Sequence, residues 1–245
     1  KVIDIKPDAY VAYYNLGLVF KELGELRKAV DCHQKSIQIQ PKLIDAHNNL
    51  GIVYKELGEF QKAVECYQKT IQIQPDHVED VHISLGNVFK ELGENEKAIN
   101  CYEKAIKISP NFIPAHNNLM EIYERTNNDE KLKQSIASAQ TLIKNALTIK
   151  LFEGILLYKN EKFSKSISIL ESIFFDKKEA NYEKLRILNL AKCYDRLEEI
   201  DKAFNYFVKV NNLTLQKKIV KSIDKDKYLK KIKIKKNFFK KSKIK

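Results

Sequence analysis

The chain has 245 residues, 44% of them hydrophobic and 31% charged, with a formal net charge of +12; that is ample for a core yet long for one compact domain. No apolar run approaches the ~20 residues that a helix needs to cross a bilayer, and no charged start leads through an apolar stretch to a small-residue cleavage site. The positive charge sits at one end: residues 216–245 hold fourteen lysines against Asp224 and Asp226, so of 44 basic and 32 acidic residues the remainder carries thirty of each and is neutral.

In chain order, the opening KVIDIKP matches KSIQIQP, KTIQIQP and KAIKISP further along, so residues 1–9 read as the end of a preceding repeat and the chain as a piece of a longer one. The pentapeptide KELGE then occurs three times, from Lys21, Lys55 and Lys90. Prolines 7, 41, 75 and 110 and the pairs Leu16-Gly17, Leu50-Gly51 and Leu85-Gly86 keep the same step of 34 or 35, the mark of a stacked-repeat protein. The single slip falls between Pro75 and Leu85, which places an inserted residue in a loop.

Within one period, Ala46, Leu50, Val53, Tyr54 and Leu57 form a helical stripe. A second stripe of Phe60, Ala63, Val64, Tyr67 and Ile71 follows Gly58 and stops before Pro75. Gly58 suits the left-handed conformation that closes a helix, and a helix does not run on comfortably through Pro75. Each period is therefore expected to be two antiparallel helices, with KELGE as their turn. Its lysine lies against the negative end of the first helix dipole and its second glutamate at the positive end of the next.

These positions resemble the tetratricopeptide repeat: Leu16-Gly17, Phe20, Gly24, Ala29 and Pro41; then Leu50-Gly51, Tyr54, Gly58, Ala63, Tyr67 and Pro75; then Leu85-Gly86, Phe89, Gly93, Ala98, Tyr102, Ala105 and Pro110. Three well-formed units thus occupy 10–111. His33 departs from the aromatic expected in the second helix, and Ser36 and Thr70 stand where alanine is common. About three degenerate units follow over 112–212. The first keeps Leu119 and Tyr123 but has Met120 for glycine and Leu132 for alanine, with Asn127 or Asn128 to make the turn. The next is laid over Gly154, Leu157, Phe163 and Ser166, and the last over Leu190-Ala191, Tyr194, Ile200, Ala203 and Phe207. Residues 213–245 read as a lysine-rich helix that caps the array or links it onward. Contact of 216–245 with an anionic membrane or with nucleic acid is the less favoured alternative. The resemblance implies an all-α, right-handed α-α superhelical solenoid.

No Walker phosphate loop, Gly-x-Ser-x-Gly elbow or dinucleotide fingerprint occurs, so no catalytic residue and no cofactor is expected. Cys32, Cys66 and Cys101 recur at one repeat position and with Cys193 read as reduced thiols in a cytoplasm. Their spacing fits no zinc site. His47, His82 and His116 likewise share one position in three different helix pairs and read as packing or groove residues.

The resemblance implies that the first helix of each unit lines an inner wall that holds another protein or peptide. It places there Asn15 and Lys21, then Asn48, Asn49 and Lys55, then Asn87 and Lys90, then Asn117 and Asn118. Carboxamides suit an extended segment because each can donate to a carbonyl and accept from an N–H, and the lysines favour an acidic partner. The lysines and arginine of the clamp that some family members use for chaperone tails are missing at Tyr14, Asp80 and Ile83. The expected function is a protein-interaction scaffold. The alternative is the substrate-recruiting region of a larger transferase. AHNNLGIVYKELGEFQKAVECYQKTIQIQP is similar to units of O-linked N-acetylglucosamine transferases, and DKAFNYFVKVNNL to the junction ahead of the catalytic domain in bacterial repeat-containing sulfotransferases.

Overall fold

The computed structural model describes residues 9–76 and 78–215. The readings of 1–9 as the end of a preceding repeat, and of 213–245 as a basic helix, fall largely on residues outside these. The described residues form twelve α-helices, one short 3₁₀ turn at 177–179 and no strand. They divide into two compact units, one up to Lys144 and one from Asn145. The first holds α1 (Ala9–Glu22), α2 (Leu26–Ile39), α3 (Ile44–Glu56), α4 (Phe60–Ile73), α5 (Glu79–Glu91), α6 (Asn95–Ile108), α7 (Ile113–Arg125) and α8 (Asp129–Leu142). Each helix packs on the next, and α1 touches α3 as α3 touches α5, so the pairs stack in register. The second unit holds α9 (Leu147–Lys159), α10 (Phe163–Glu171), α11 (Ala180–Arg196) and α12 (Ile200–Leu215), packed in sequence with α9 also against α11.

Every pair turns at the same place. Gly24, Gly58 and Gly93 have φ of 75°, 74° and 77°, and Asn127, Glu161 and Glu198 adopt φ of 54°, 58° and 64° at the equivalent positions of the later pairs. The next residue's N–H closes the turn onto an aromatic or leucine in the last turn of the first helix: Glu25 to Phe20 O (2.8 Å), Glu59 to Tyr54 O (2.9 Å), Glu94 to Phe89 O (2.9 Å), Asn128 to Tyr123 O (2.9 Å), Lys162 to Leu157 O (2.9 Å) and Glu199 to Tyr194 O (3.0 Å). This bond satisfies a carbonyl that the helix end would otherwise strand. Asparagine tolerates the left-handed region, whereas glutamate at 161 and 198 accepts a strain of about 1–2 kcal/mol to keep the geometry.

The glutamate that follows the glycine does more than meet a dipole. Its side chain makes no capping hydrogen bond. It pairs instead with the lysine three residues on: Glu25 with Lys28, Glu59 with Lys62 (2.8 Å), Glu94 with Lys97 (2.5 Å) and, in the second unit, Glu199 with Lys202 (2.7 Å). That lysine lies over the aromatic ring of the preceding helix, 5.3 Å from the Phe20 and Tyr54 ring centres, 5.4 Å from Phe89 and 5.0 Å from Tyr194. In the fourth pair Asn128 replaces the glutamate and caps through its side chain, while Lys131 still lies 5.7 Å from Tyr123. Each such cation–ring contact ties the two helices across their turn.

Helix pairs close up where a glycine faces a large side chain. A Cβ on Gly51 would lie 2.8 Å from the Tyr67 ring, one on Gly86 2.5 Å from Tyr102, and one on Gly154 2.7 Å from Leu170. The fourth pair departs from this, with fully buried Met120 at the glycine's place in the first helix and buried Ile136 at the ring's place in the second. In the second unit the connection from α10 to α11 is pinned by a buried arginine. Arg186 donates to both Glu183 oxygens (2.8 and 2.5 Å) and to Leu170 O (2.9 Å), with Phe174 stacked 4.9 Å above its guanidinium.

The first pair sets His33 against Gly17, where a Cβ would come within 2.6 Å of the imidazole. The ring is fully buried and neither nitrogen has a partner. Burial, reinforced by the nearby Lys21 charge, pushes its pKa down to about 4 from 6.5. The unfolded chain therefore binds a proton between these values that the folded chain refuses, so stability is full above pH ~6.5 and falls as pH drops toward 4, by at most about 3 kcal/mol. Urea titrations across this range are predicted to show that loss, and His33→Tyr, which restores the ring found at Tyr67 and Tyr102, is predicted to remove this part of it.

Candidate functional site

The first helices α1, α3, α5 and α7 lie side by side in the first unit and carry all nine residues expected on the inner wall. Asn15 on α1 is exposed, Lys21 half-buried. On α3, Asn48, Asn49 and Lys55 are half-buried, as are Asn87 and Lys90 on α5 and Asn118 on α7, whereas Asn117 is only 8% exposed.

The structure separates these carboxamides by the work they already do. Asn49 Nδ2 donates to Tyr14 Oη (3.2 Å) and to Asp45 O (2.9 Å), so it bridges α3 to α1. Burial, with the Asp45 charge behind it, raises the Tyr14 pKa and keeps that hydroxyl protonated. Asn87 Oδ1 accepts from Tyr102 Oη (2.8 Å). Tyr102 is fully buried, so this bond satisfies a hydroxyl that burial would otherwise penalise. Lys90 reaches across to Glu121 on α7 (3.2 Å). Asn48 Oδ1 and Asn117 Oδ1 are buried without a partner. The sequence shows a ladder of like residues; which rungs are occupied depends on a neighbour in the same pair, Tyr102, and on neighbours one repeat away, Tyr14 and Glu121.

The recurring histidines sit behind the wall. His47 Nε2 bonds to Pro41 O (2.9 Å) and His116 Nε2 to Pro110 O (2.8 Å), each reaching back to the proline that ends the preceding repeat. Among the described residues no group of three or more His, Cys, Asp or Glu is placed to hold a metal ion. No helix among them is long and apolar enough to cross a membrane.

Residues 10–43 match one tetratricopeptide-repeat family profile and residues 43–111 another. Tetratricopeptide repeats thus occupy residues 10–111. Solved structures of the same fold extend the likeness past the matched repeats. That of pilF from Pseudomonas aeruginosa is 21% identical with a TM-score of 0.64, over 84% of this chain and 92% of that one. A tetratricopeptide repeat protein from Parabacteroides merdae is 17% identical with a TM-score of 0.63, over 88% and 82%. YrrB, a tetratricopeptide-repeat protein with an unusual peptide-binding site, is 16% identical with a TM-score of 0.51, over 65% and 81%. At such identities these likenesses speak for the fold alone. No curated protein matches the chain.

The carboxamides of the tetratricopeptide wall are predicted to fall into two classes on substitution. Asn87→Ala strands the Tyr102 hydroxyl and is predicted to lower stability by about 1–3 kcal/mol, while Asn15→Ala changes it by less than ~0.5 kcal/mol. Chemical denaturation of the two variants checks the split.

Proposed function

We propose that this chain is a protein-interaction scaffold that holds an extended, acidic segment of a partner polypeptide along the wall of α1, α3, α5 and α7, without catalysis of its own. What supports this reading is the repetition of donors and cations at matching places on helices that lie side by side. Among the described residues the side chains of Asn15 and Asn118 make no internal hydrogen bond and Lys21 and Lys55 no ion pair, so their hydrogen-bonding capacity is open to a ligand. A strand-like segment offers alternating N–H and C=O groups that carboxamides meet in either direction. A peptide-binding site in one protein of this fold, YrrB, is in keeping with it. The four cysteines are free and buried, in keeping with a reducing cytoplasm.

The test uses Lys55→Ala combined with Asn118→Ala, two positions without a structural bond in the stack. Immobilised wild-type protein and the double variant are exposed to the same lysate, and captured polypeptides are quantified by mass spectrometry. The double variant is predicted to lose specific partners by tenfold or more at an unchanged melting temperature; equal capture by both forms would refute the wall assignment.

A further inference from the structure

The opposite side of the stack carries grooves that the wall does not use. One, of ≈ 420 Å³, lies between the second helices α4 and α6. Its floor is His82, Leu85 and Phe89 of α5, and Ile71 and Lys104 stand at its sides. One repeat earlier the same groove, of ≈ 630 Å³, lies between α2 and α4 over His47, Leu50 and Tyr54, with Ile37 and Lys69 in the matching places. None of the nine wall residues lines either groove.

The two grooves differ in how their buried histidine is held. From Pro41 to His47, and from Pro110 to His116, the chain runs six residues and the imidazole bonds to the proline carbonyl. From Pro75 to His82 it runs seven, because the inserted residue falls in between. His82 makes no such bond among the described residues, is 7% exposed and has Nδ1 without a partner. Lys104 lies near enough to oppose its protonation, second to burial, and has no carboxylate partner among the described residues. The other cation on the groove, Lys97, is held by Glu94 and the Phe89 ring, and Glu96 stands on the rim. An insertion that looks like loop slack in the sequence thus leaves an unsatisfied imidazole beside an open ammonium, above an apolar floor.

We propose that the α4–α6 groove is a second binding site, for an acidic–apolar segment of a partner protein that lays an aliphatic side chain on Leu85 and Phe89 and a carboxylate between Lys104 and His82. The carboxylate completes the cation, and the apolar side chain removes the floor from water. A bound anion also favours the imidazolium over the neutral ring: of the groups that line the groove from α6, the Lys97 and Lys104 charges oppose the imidazolium, the Glu96 carboxylate favours it and Cys101 is neutral, while from α4 and α5 only uncharged Gln68, Ile71, Leu85 and Phe89 line the groove. The site stands apart from the wall, so the Lys55→Ala, Asn118→Ala variant should retain it.

The experiment follows the histidine ring signals of the whole chain by NMR with two probes: a capped six-residue peptide of alternating leucine and glutamate, and its leucine–glutamine counterpart. The acidic peptide is expected to shift the His82 signals and raise its titration midpoint, leaving His47 and His116 in place, while the amide peptide does neither. Lys104→Gln, on the exposed rim, should weaken binding about tenfold, and Lys69→Gln in the neighbouring groove should leave it unchanged. Absence of a His82 shift, equal response to both peptides, or indifference to Lys104→Gln would overturn the proposal. Loss of partner capture with the groove response intact would bear on the wall alone.

Discussion

The fold rests on how closely two helices of a pair approach, and that distance is set by one facing contact. With glycine in the first helix, the second sets a ring or a leucine directly on its backbone: His33 on Gly17, Tyr67 on Gly51, Tyr102 on Gly86, Leu170 on Gly154. Dispersion and burial favour the filled contact, and a Cβ on the glycine would fall inside any real van der Waals distance. The fourth pair has no glycine and no ring at these places, but buried Met120 and Ile136, two aliphatic chains that can adapt to each other.

From that approach the rest follows in order. The left-handed residue fixes where the chain reverses, the backbone bond to the preceding aromatic or leucine fixes the angle of return, and the lysine over the ring holds both ends of the turn. Pairs built alike stack alike, so side chains at one repeat position arrive on one face. The tetratricopeptide wall and the outer grooves are both products of this translation. The translation is imperfect at His82, which stands one residue further from its proline than His47 and His116 and makes no bond to it among the described residues.

Much of this was legible in the sequence, because the signals were local and periodic. Gly24, Gly58 and Gly93 announced the turns, and the stripes through Leu50 and Tyr67 announced the helices. The turns at Glu161 and Glu198 were not announced, since glutamate is a poor left-handed residue and only the surrounding packing holds it there. In sequence the second glutamate of KELGE is a dipole partner; that it recruits a lysine onto the ring behind it depends on the three-dimensional return of the chain. The asparagines of the first helices are legible in the sequence as a set, but the bonds of Asn49 to Tyr14 and of Asn87 to Tyr102 join residues 35 and 15 apart and carry no sequence signature. The buried Arg186 pair in the second unit left none either, as arginine is ordinarily an exposed residue.

The most direct test of the facing contact is a double-mutant cycle on the third pair that rebuilds it in the fourth pair's form, with Gly86→Met, Tyr102→Ile and the two together, each unfolded in urea. The account predicts that either change alone costs several kcal/mol, one by overpacking and one by leaving a cavity, and that the double variant is more stable than the sum of the two by at least about 1 kcal/mol. Costs that simply add would contradict it, because the two side chains would then not share one space.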